Sequence, residues 1–259
     1  MALRLVHQLM VVSLFTGTLW AATDPFAGKW KLNPAKSKLT DQMKVEAAGL
    51  NKYTFIFSGD NSETIVADGT DQPGLFGTTF SVTVLSPRQW RVVRKTAGHV
   101  MISAIWDLSA DGNTLTDNYT GYRADGTTNS LRYVYARTGG SEGFAGTWES
   151  TEEQVNSVYE MQVEAYGDSG LSFINPAQKM TKKINFDGKD YAAEGPNVPA
   201  GFVTSGRRLS DHAVELTDKV GSKVLDTQQV EVSPDGKTLM FTVHIPGRTK
   251  PNVQVFDRE

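Results

Sequence analysis

Asp24-Pro25-Phe26-Ala27-Gly28-Lys29-Trp30 is restated 118 residues downstream as Gly143-Phe144-Ala145-Gly146-Thr147-Trp148. The same spacing relates Met43-Lys44-Val45-Glu46-Ala47-Ala48-Gly49 to Met161-Gln162-Val163-Glu164-Ala165-Tyr166-Gly167. Each copy ends alike, in Val134-Tyr135-Ala136-Arg137 and in Val255-Phe256-Asp257-Arg258. A chain of 259 residues could form one domain or two. The repeat decides for two, 24–138 and 143–259. Thr138-Gly139-Gly140-Ser141-Glu142 is expected to join them as a short flexible linker.

Working outward from the repeated phrase, both halves alternate with a period of two, the mark of strands with one inward face. Tyr53, Phe55 and Phe57 share a face, as do Val100, Ile102, Ala104, Trp106 and Leu108. Leu131, Tyr133 and Tyr135 form a third row, and Leu239, Phe241, Val243 and Ile245 a fourth. Asp-Gly pairs at 68–69, 111–112, 125–126, 187–188 and 235–236 mark chain reversals, because both residues tolerate tight-turn backbone angles. The spacing predicts about eight or nine strands per half. Only Pro34 to Gln42 and Ser150 to Ser157 read as helical. From the hairpin 109–115 to the hairpin 233–239 the offset is 124, so the second half carries insertions, with Gly195 to Gly201 the expected place. So many short strands must protect their edges, and closure into a barrel does so.

The first 22 residues stand apart. Arg4 precedes an apolar run from Leu9 to Leu19, followed by Ala21-Ala22. That is the pattern of a cleaved secretory signal, and the run is shorter than the about 20 residues a membrane span needs. Periplasmic or extracellular residence follows as the expectation. The chain has no cysteine, so stability must come from the core rather than from disulfides. Arg4 is the only charged residue of the segment, so cleavage lowers the formal charge from −3 to −4. A mildly acidic chain lacks the footprint of nucleic-acid binding, and no later stretch is apolar enough for a transmembrane helix.

A Gly-x-Trp on the first strand with an Arg ending the last strand resembles the calycin superfamily of lipocalins and fatty-acid-binding proteins. The opening phrase also resembles that of uncharacterised exported bacterial proteins. The resemblance implies two tandem up-and-down antiparallel barrels, each plugged at one end by the Trp with the Arg across it. An indole face attracts a guanidinium, so the contact would tie first strand to last. On this reading Gly28 and Trp30 close the first barrel with Arg137, and Gly146 and Trp148 close the second with Arg258. These six residues are expected to be structural.

Catalytic and metal signals are thin. Thr96-Ala97-Gly98-His99 and Gly167-Asp168-Ser169-Gly170 look like fragments of a serine-protease site, but they fall in different repeats, and a triad needs converging geometry. After the signal segment the histidines are His99, His212 and His244, none spaced as a metal pair, so no metal or other cofactor is expected. No phosphate-binding glycine loop occurs. The run Lys179 to Lys183 reads as a solvated strand edge, where lysines discourage pairing.

One asymmetry between the halves has chemical content. At the offset of 124, Phe241 and Val243 correspond to Asp117 and Tyr119. If Phe241 faces inward, so does Asp117, and a buried carboxyl needs a partner. A satisfied structural group, a water-filled cavity and a ligand anchor all fit. Trp106, Asp117, Tyr119 and Tyr133 are the candidate ligand contacts. The expected function is non-catalytic enclosure of a small hydrophobic ligand in one or both barrels. The alternative is a structural or protein-interaction module with side-chain-filled barrels, since a barrel of this size suits either. Catalysis ranks third, because fold alone does not choose function.

Overall fold

The computed structural model describes residues 24–58, 61–156 and 159–259. The expected signal segment 1–22 and Ser157 lie outside the described residues. Strands dominate throughout. In the first repeat they are β1 (Gly28–Leu32), β2 (Gln42–Gly49), β3 (Lys52–Ser58), β4 (Asn61–Val66), β5 (Gln72–Pro73), β6 (Thr79–Ser86), β7 (Gln89–Thr96), β8 (His99–Leu108), β9 (Thr114–Tyr122) and β10 (Thr128–Glu142). The second repeat supplies β11 (Ala145–Asn156), β12 (Glu160–Tyr166), β13 (Gly170–Asn175), β14 (Met180–Ile184) and β15 (Tyr191–Ala192). It continues with β16 (Phe202–Ser210), β17 (Ala213–Val220), β18 (Lys223–Val232), β19 (Thr238–His244) and β20 (Asn252–Arg258).

Neither expected helix forms. Residues 34–36 are a turn, and Ser150 to Asn156 belong to β11. The sole helical piece among the described residues is the 3₁₀ turn Leu75–Gly77. Each half provides ten strands rather than eight or nine. All five Asp-Gly reversals are present, their glycines at φ of 68° to 91°, a region glycine enters without steric cost. The insertion falls where expected: the chain between β15 and β16 spans 193–201, whereas its counterpart between β5 and β6 spans 74–78.

The strands form two antiparallel sheets, each curled into a nearly closed barrel. The first runs β4-β3-β2-β11-β10-β9-β8-β7-β6-β5, and the second β14-β13-β12-β1-β20-β19-β18-β17-β16-β15. Within each sheet most neighbours are consecutive in the chain, but β1 and β11 have traded barrels: β1 lies between β12 and β20, and β11 between β2 and β10. Trp30 aligns with Met161 and Arg258, while Trp148 aligns with Met43 and Arg137. The expected pairing of Trp30 with Arg137 and of Trp148 with Arg258 is therefore reversed, and the barrels do not follow the division at 24–138 and 143–259.

The cause lies in the supposed linker. Thr138 to Glu142 are not a loop but the end of β10, and only Gly143-Phe144 separate it from β11. So short a connection folds back as an antiparallel hairpin. In that hairpin β11 takes the place beside β10 that the first strand of a closed barrel would fill. β1 takes the equivalent place beside β20. The connector 33–41 then follows β20, with Lys38 and Val253 exchanging backbone hydrogen bonds of 2.7 and 2.8 Å, before entering β2.

Each barrel has its own apolar core, and each core contains the other repeat's opening phrase. Phe144 and Trp148 pack with Phe55, Trp90, Trp106 and Leu115. Phe26 and Trp30 pack with Leu171, Val214, Leu239 and Phe256. The seams are sealed differently. In the first barrel the Gln72 side-chain amide accepts from Val66 N (2.9 Å) and donates to Val66 O (2.7 Å), imitating a strand peptide. In the second, Thr181 and Glu194 exchange two backbone bonds of 2.9 Å.

Candidate functional site

The Gly-x-Trp motifs and their arginines build one plug per barrel. Arg258 lies 4.0 Å from the Trp30 ring centre and Arg137 4.2 Å from that of Trp148. Each guanidinium donates to three backbone carbonyls: Gly236, Ala27 and Pro25 for Arg258, and Gly112, Ala145 and Gly143 for Arg137. Each indole N–H donates to the carbonyl four residues back, Phe26 (2.9 Å) or Phe144 (3.1 Å). A side-chain methyl at Gly28 or Gly146 would come within 2.4 Å of an arginine Nη1. The motif is thus complete in its own hydrogen bonds, and nothing in it awaits a ligand.

The four candidate ligand contacts do meet. Trp106, Asp117, Tyr119 and Tyr133 line one cavity of about 300 Å³ in the first barrel. Cross-strand register brings them together: Trp106 on β8 opposes Asp117 on β9, and Asp117 opposes Tyr133 on β10. Tyr119, two residues along β9, shares the inward face. Phe57, Phe80 and Tyr135 add further rings.

Asp117 is only 9% exposed, and its Oδ1 has no hydrogen-bond partner. The buried indole N–H of Trp106 likewise lacks one. Burial pushes the Asp117 carboxyl from its ordinary 3.8 up to about 7. The nearby Trp106 indole opposes that rise, and the charge of Asp41 adds to it. Tyr119 rises to about 12 through burial and then through the Asp117 charge. Tyr133 and Tyr135 rise as well, through burial and then Asp41. These phenols therefore remain protonated donors, and Asp117 is poised to hold or release a proton near neutrality.

The other charges around this cavity are already matched. Arg94 pairs with Glu63 and donates to Thr78 Oγ1 (2.8 Å), while its guanidinium lies 4.6 Å from the Phe80 ring centre. Asp41 accepts from Tyr135 Oη (2.7 Å) and pairs with Arg248 (2.6 Å). Arg248 comes from the second barrel, between β19 and β20, and also donates to Phe57 O (3.1 Å) and Thr40 O (3.3 Å). Two residues lining the first cavity, Asp41 and Phe57, are thus held by an arginine of the other barrel.

The second barrel has a cavity of about 230 Å³ in which Phe241 and Val243 stand where the first has Asp117 and Tyr119. Its buried acid, Asp218, is fully partnered: Lys182 Nζ at 2.5 Å, Thr204 Oγ1 at 2.5 Å and Gln228 Nε2 at 3.0 Å. Burial, then the Asp218 charge, raises nearby Asp226 to about 6. The expected solvated edge at Lys179 to Lys183 is half right. β14 ends its sheet, but Lys182 turns inward. Its alternation with Met180 and Ile184 carried that signal, and so did the alternation of Glu63 with Asn61 and Ile65 in β4. Arg248 had no such signal, because it reaches its partners from a turn.

His99, His212 and His244 are all exposed, and no cluster of metal-binding side chains occurs among the described residues. His99 lies in the first barrel and the turn at Gly167 to Gly170 in the second, so the protease-like fragments belong to different sheets. No helix among the described residues is long and apolar enough to cross a membrane. No protein family, curated protein or solved structure matches this chain.

Proposed function

We propose that the chain is an exported, non-catalytic binding protein with two calycin-like barrels, the first of which encloses a small, largely hydrophobic ligand. One observation carries the reading: a residue lining an aromatic cavity, Asp117, carries a buried carboxyl whose Oδ1 has no close donor and whose nearest side-chain hydrogen-bonding neighbour is the Trp106 indole. A purely structural interior would be expected to satisfy such a group, as the second barrel satisfies Asp218. The volume of about 300 Å³ lies at the lower edge of small-molecule sites, which span about 300–1,000 Å³. Aromatic walls would remove the ligand from water at about 25 cal/mol per Å² of apolar surface buried. The paired Trp–Arg plugs support the calycin-like assignment, and the signal-like pattern of residues 1–22 supports export.

A neutral fluorescent probe, N-phenyl-1-naphthylamine, tests the enclosure. Its emission should rise on mixing with the protein and saturate. In Ala104→Phe, which places a ring in the cavity from a buried lining position, the rise should vanish while the fold persists by circular dichroism. Absence of saturable binding to the unmodified protein, together with native mass spectra free of small molecules after purification from the source cells, overturns the reading in favour of filled, purely structural barrels.

A further inference from the structure

We infer that the first-barrel cavity selects a small organic cation, a protonated amine on a single ring or short apolar chain, with its ammonium seated on Asp117. This rests on the enclosure reading above and adds the chemistry of the ligand's polar end.

Charge accounting within the cavity supports a cation. Arg94 spends its charge on Glu63, and Arg248 spends its charge on Asp41. Asp117 alone among the deeply buried acids of this barrel has a carboxylate oxygen with no donor. The excess in the cavity is therefore negative. An ammonium supplies three donors to such an oxygen, and a charge-assisted hydrogen bond is about twice as strong as a neutral one. The walls suit the same ligand. Trp106, Tyr119 and Tyr133 surround the carboxyl, and aromatic faces attract cations through their quadrupoles. In the second barrel Phe241 takes the corresponding place, and the acid that lines its cavity, Asp226, already accepts from Gln228 Nε2 at 2.7 Å.

A panel of matched pairs tests the inference by calorimetry at pH 8.5, where Asp117 ionises: benzylamine and benzyl alcohol, phenethylamine and 2-phenylethanol, hexylamine and hexanol, with 3-phenylpropionate as the anion. At least one amine should bind about tenfold tighter than its alcohol, and the anion should bind most weakly. In Asp117→Asn, and independently in Asp117→Leu, the preference for the amine should disappear while alcohol binding persists. An alcohol that binds as tightly as its amine across the panel overturns the cation assignment, as does an amine preference that survives both substitutions. Should N-phenyl-1-naphthylamine bind while no amine is preferred, enclosure stands and only the cation assignment falls. Should nothing bind at all, both fall together.

Discussion

Gly146 has no side chain because an arginine occupies the space one would need. A Cβ there would approach Arg137 Nη1 at 2.4 Å and the Gly139 carbonyl at 2.7 Å, and a backbone carbonyl cannot step aside cheaply. Gly146→Ala is expected to cost about 1–3 kcal/mol, the range for overpacking a tight site, read from urea unfolding midpoints. Asp117 makes a second prediction, with a sign set by its proton. Its folded pKa, about 7, lies above the ordinary 3.8. The folded state therefore binds the proton more tightly, and stability is lost as pH rises from about 4 to about 7. A gap of about three decades at about 1.4 kcal/mol each is on the order of 4 kcal/mol. Asp41, Tyr119, Tyr133 and Tyr135 line the same cavity, with Arg94 and Arg248 held by their own acids, and Glu153 lies opposite Tyr133 in the neighbouring strand. Glu153, also raised to about 7 by burial, pulls the same way, so the comparison must be between variants. Asp117→Asn should match the parent protein near pH 4 and exceed it increasingly up to pH 8. A stability difference that stays flat over that range would sink the assignment. This residue was legible in the sequence because its repeat partner is Phe241: two copies of one strand disagreed at an inward position.

At the scale of elements, the alternating rows were readable and the contacts between hairpins were not. Leu131, Tyr133 and Tyr135 announced their inward face by period two, and the structure has all three lining the cavity. Arg248 gave no such sign. It lies in the turn between β19 and β20, where periodicity ends, and its partners Asp41 and Phe57 are about two hundred residues away along the chain. Yet this turn couples the barrels and holds part of the cavity wall. Arg248→Ala should leave Asp41 with only the Tyr135 hydroxyl as side-chain donor. The pair is partly exposed, so the loss should fall between surface and fully buried ion pairs, about 1–3 kcal/mol. Thermal unfolding measures that loss. Stopped-flow release of N-phenyl-1-naphthylamine measures the second expected effect, a faster off-rate once the wall at Phe57 is no longer held from outside. An unchanged off-rate would confine Arg248 to joining the barrels.

At the scale of the whole molecule, the duplication was plain in the sequence and the exchange of first strands was hidden. The reason is that β1 and β11 are copies of one another. Each carries Gly-x-Trp, each fits between a Met-x-Val strand and a strand carrying the plug arginine, and the Trp–Arg contact is the same in either barrel. The two-residue connection at Gly143-Phe144 breaks the tie, by making β10–β11 the hairpin of least loop-closure cost. That argument predicts what happens when the connection is cut. Residues 24–142 and 143–259, expressed separately, each retain a full set of ten strands. With β11 gone from its place, β1 should return to its own barrel. The connector 33–41 is long enough to fold back as a hairpin loop, bringing Trp30 against Met43 and beneath Arg137. Each fragment should therefore be a folded monomer by sedimentation. The first should be less stable than the intact chain, having lost the bonds between Lys38 and Val253 and the pair between Asp41 and Arg248. A cysteine pair placed at Lys29 and Thr138 should close a disulfide in the fragment and fail to do so in the full chain. An unfolded fragment, or one that assembles only by trading strands with a second copy, would mean that the exchange is required for the fold rather than imposed by the connection.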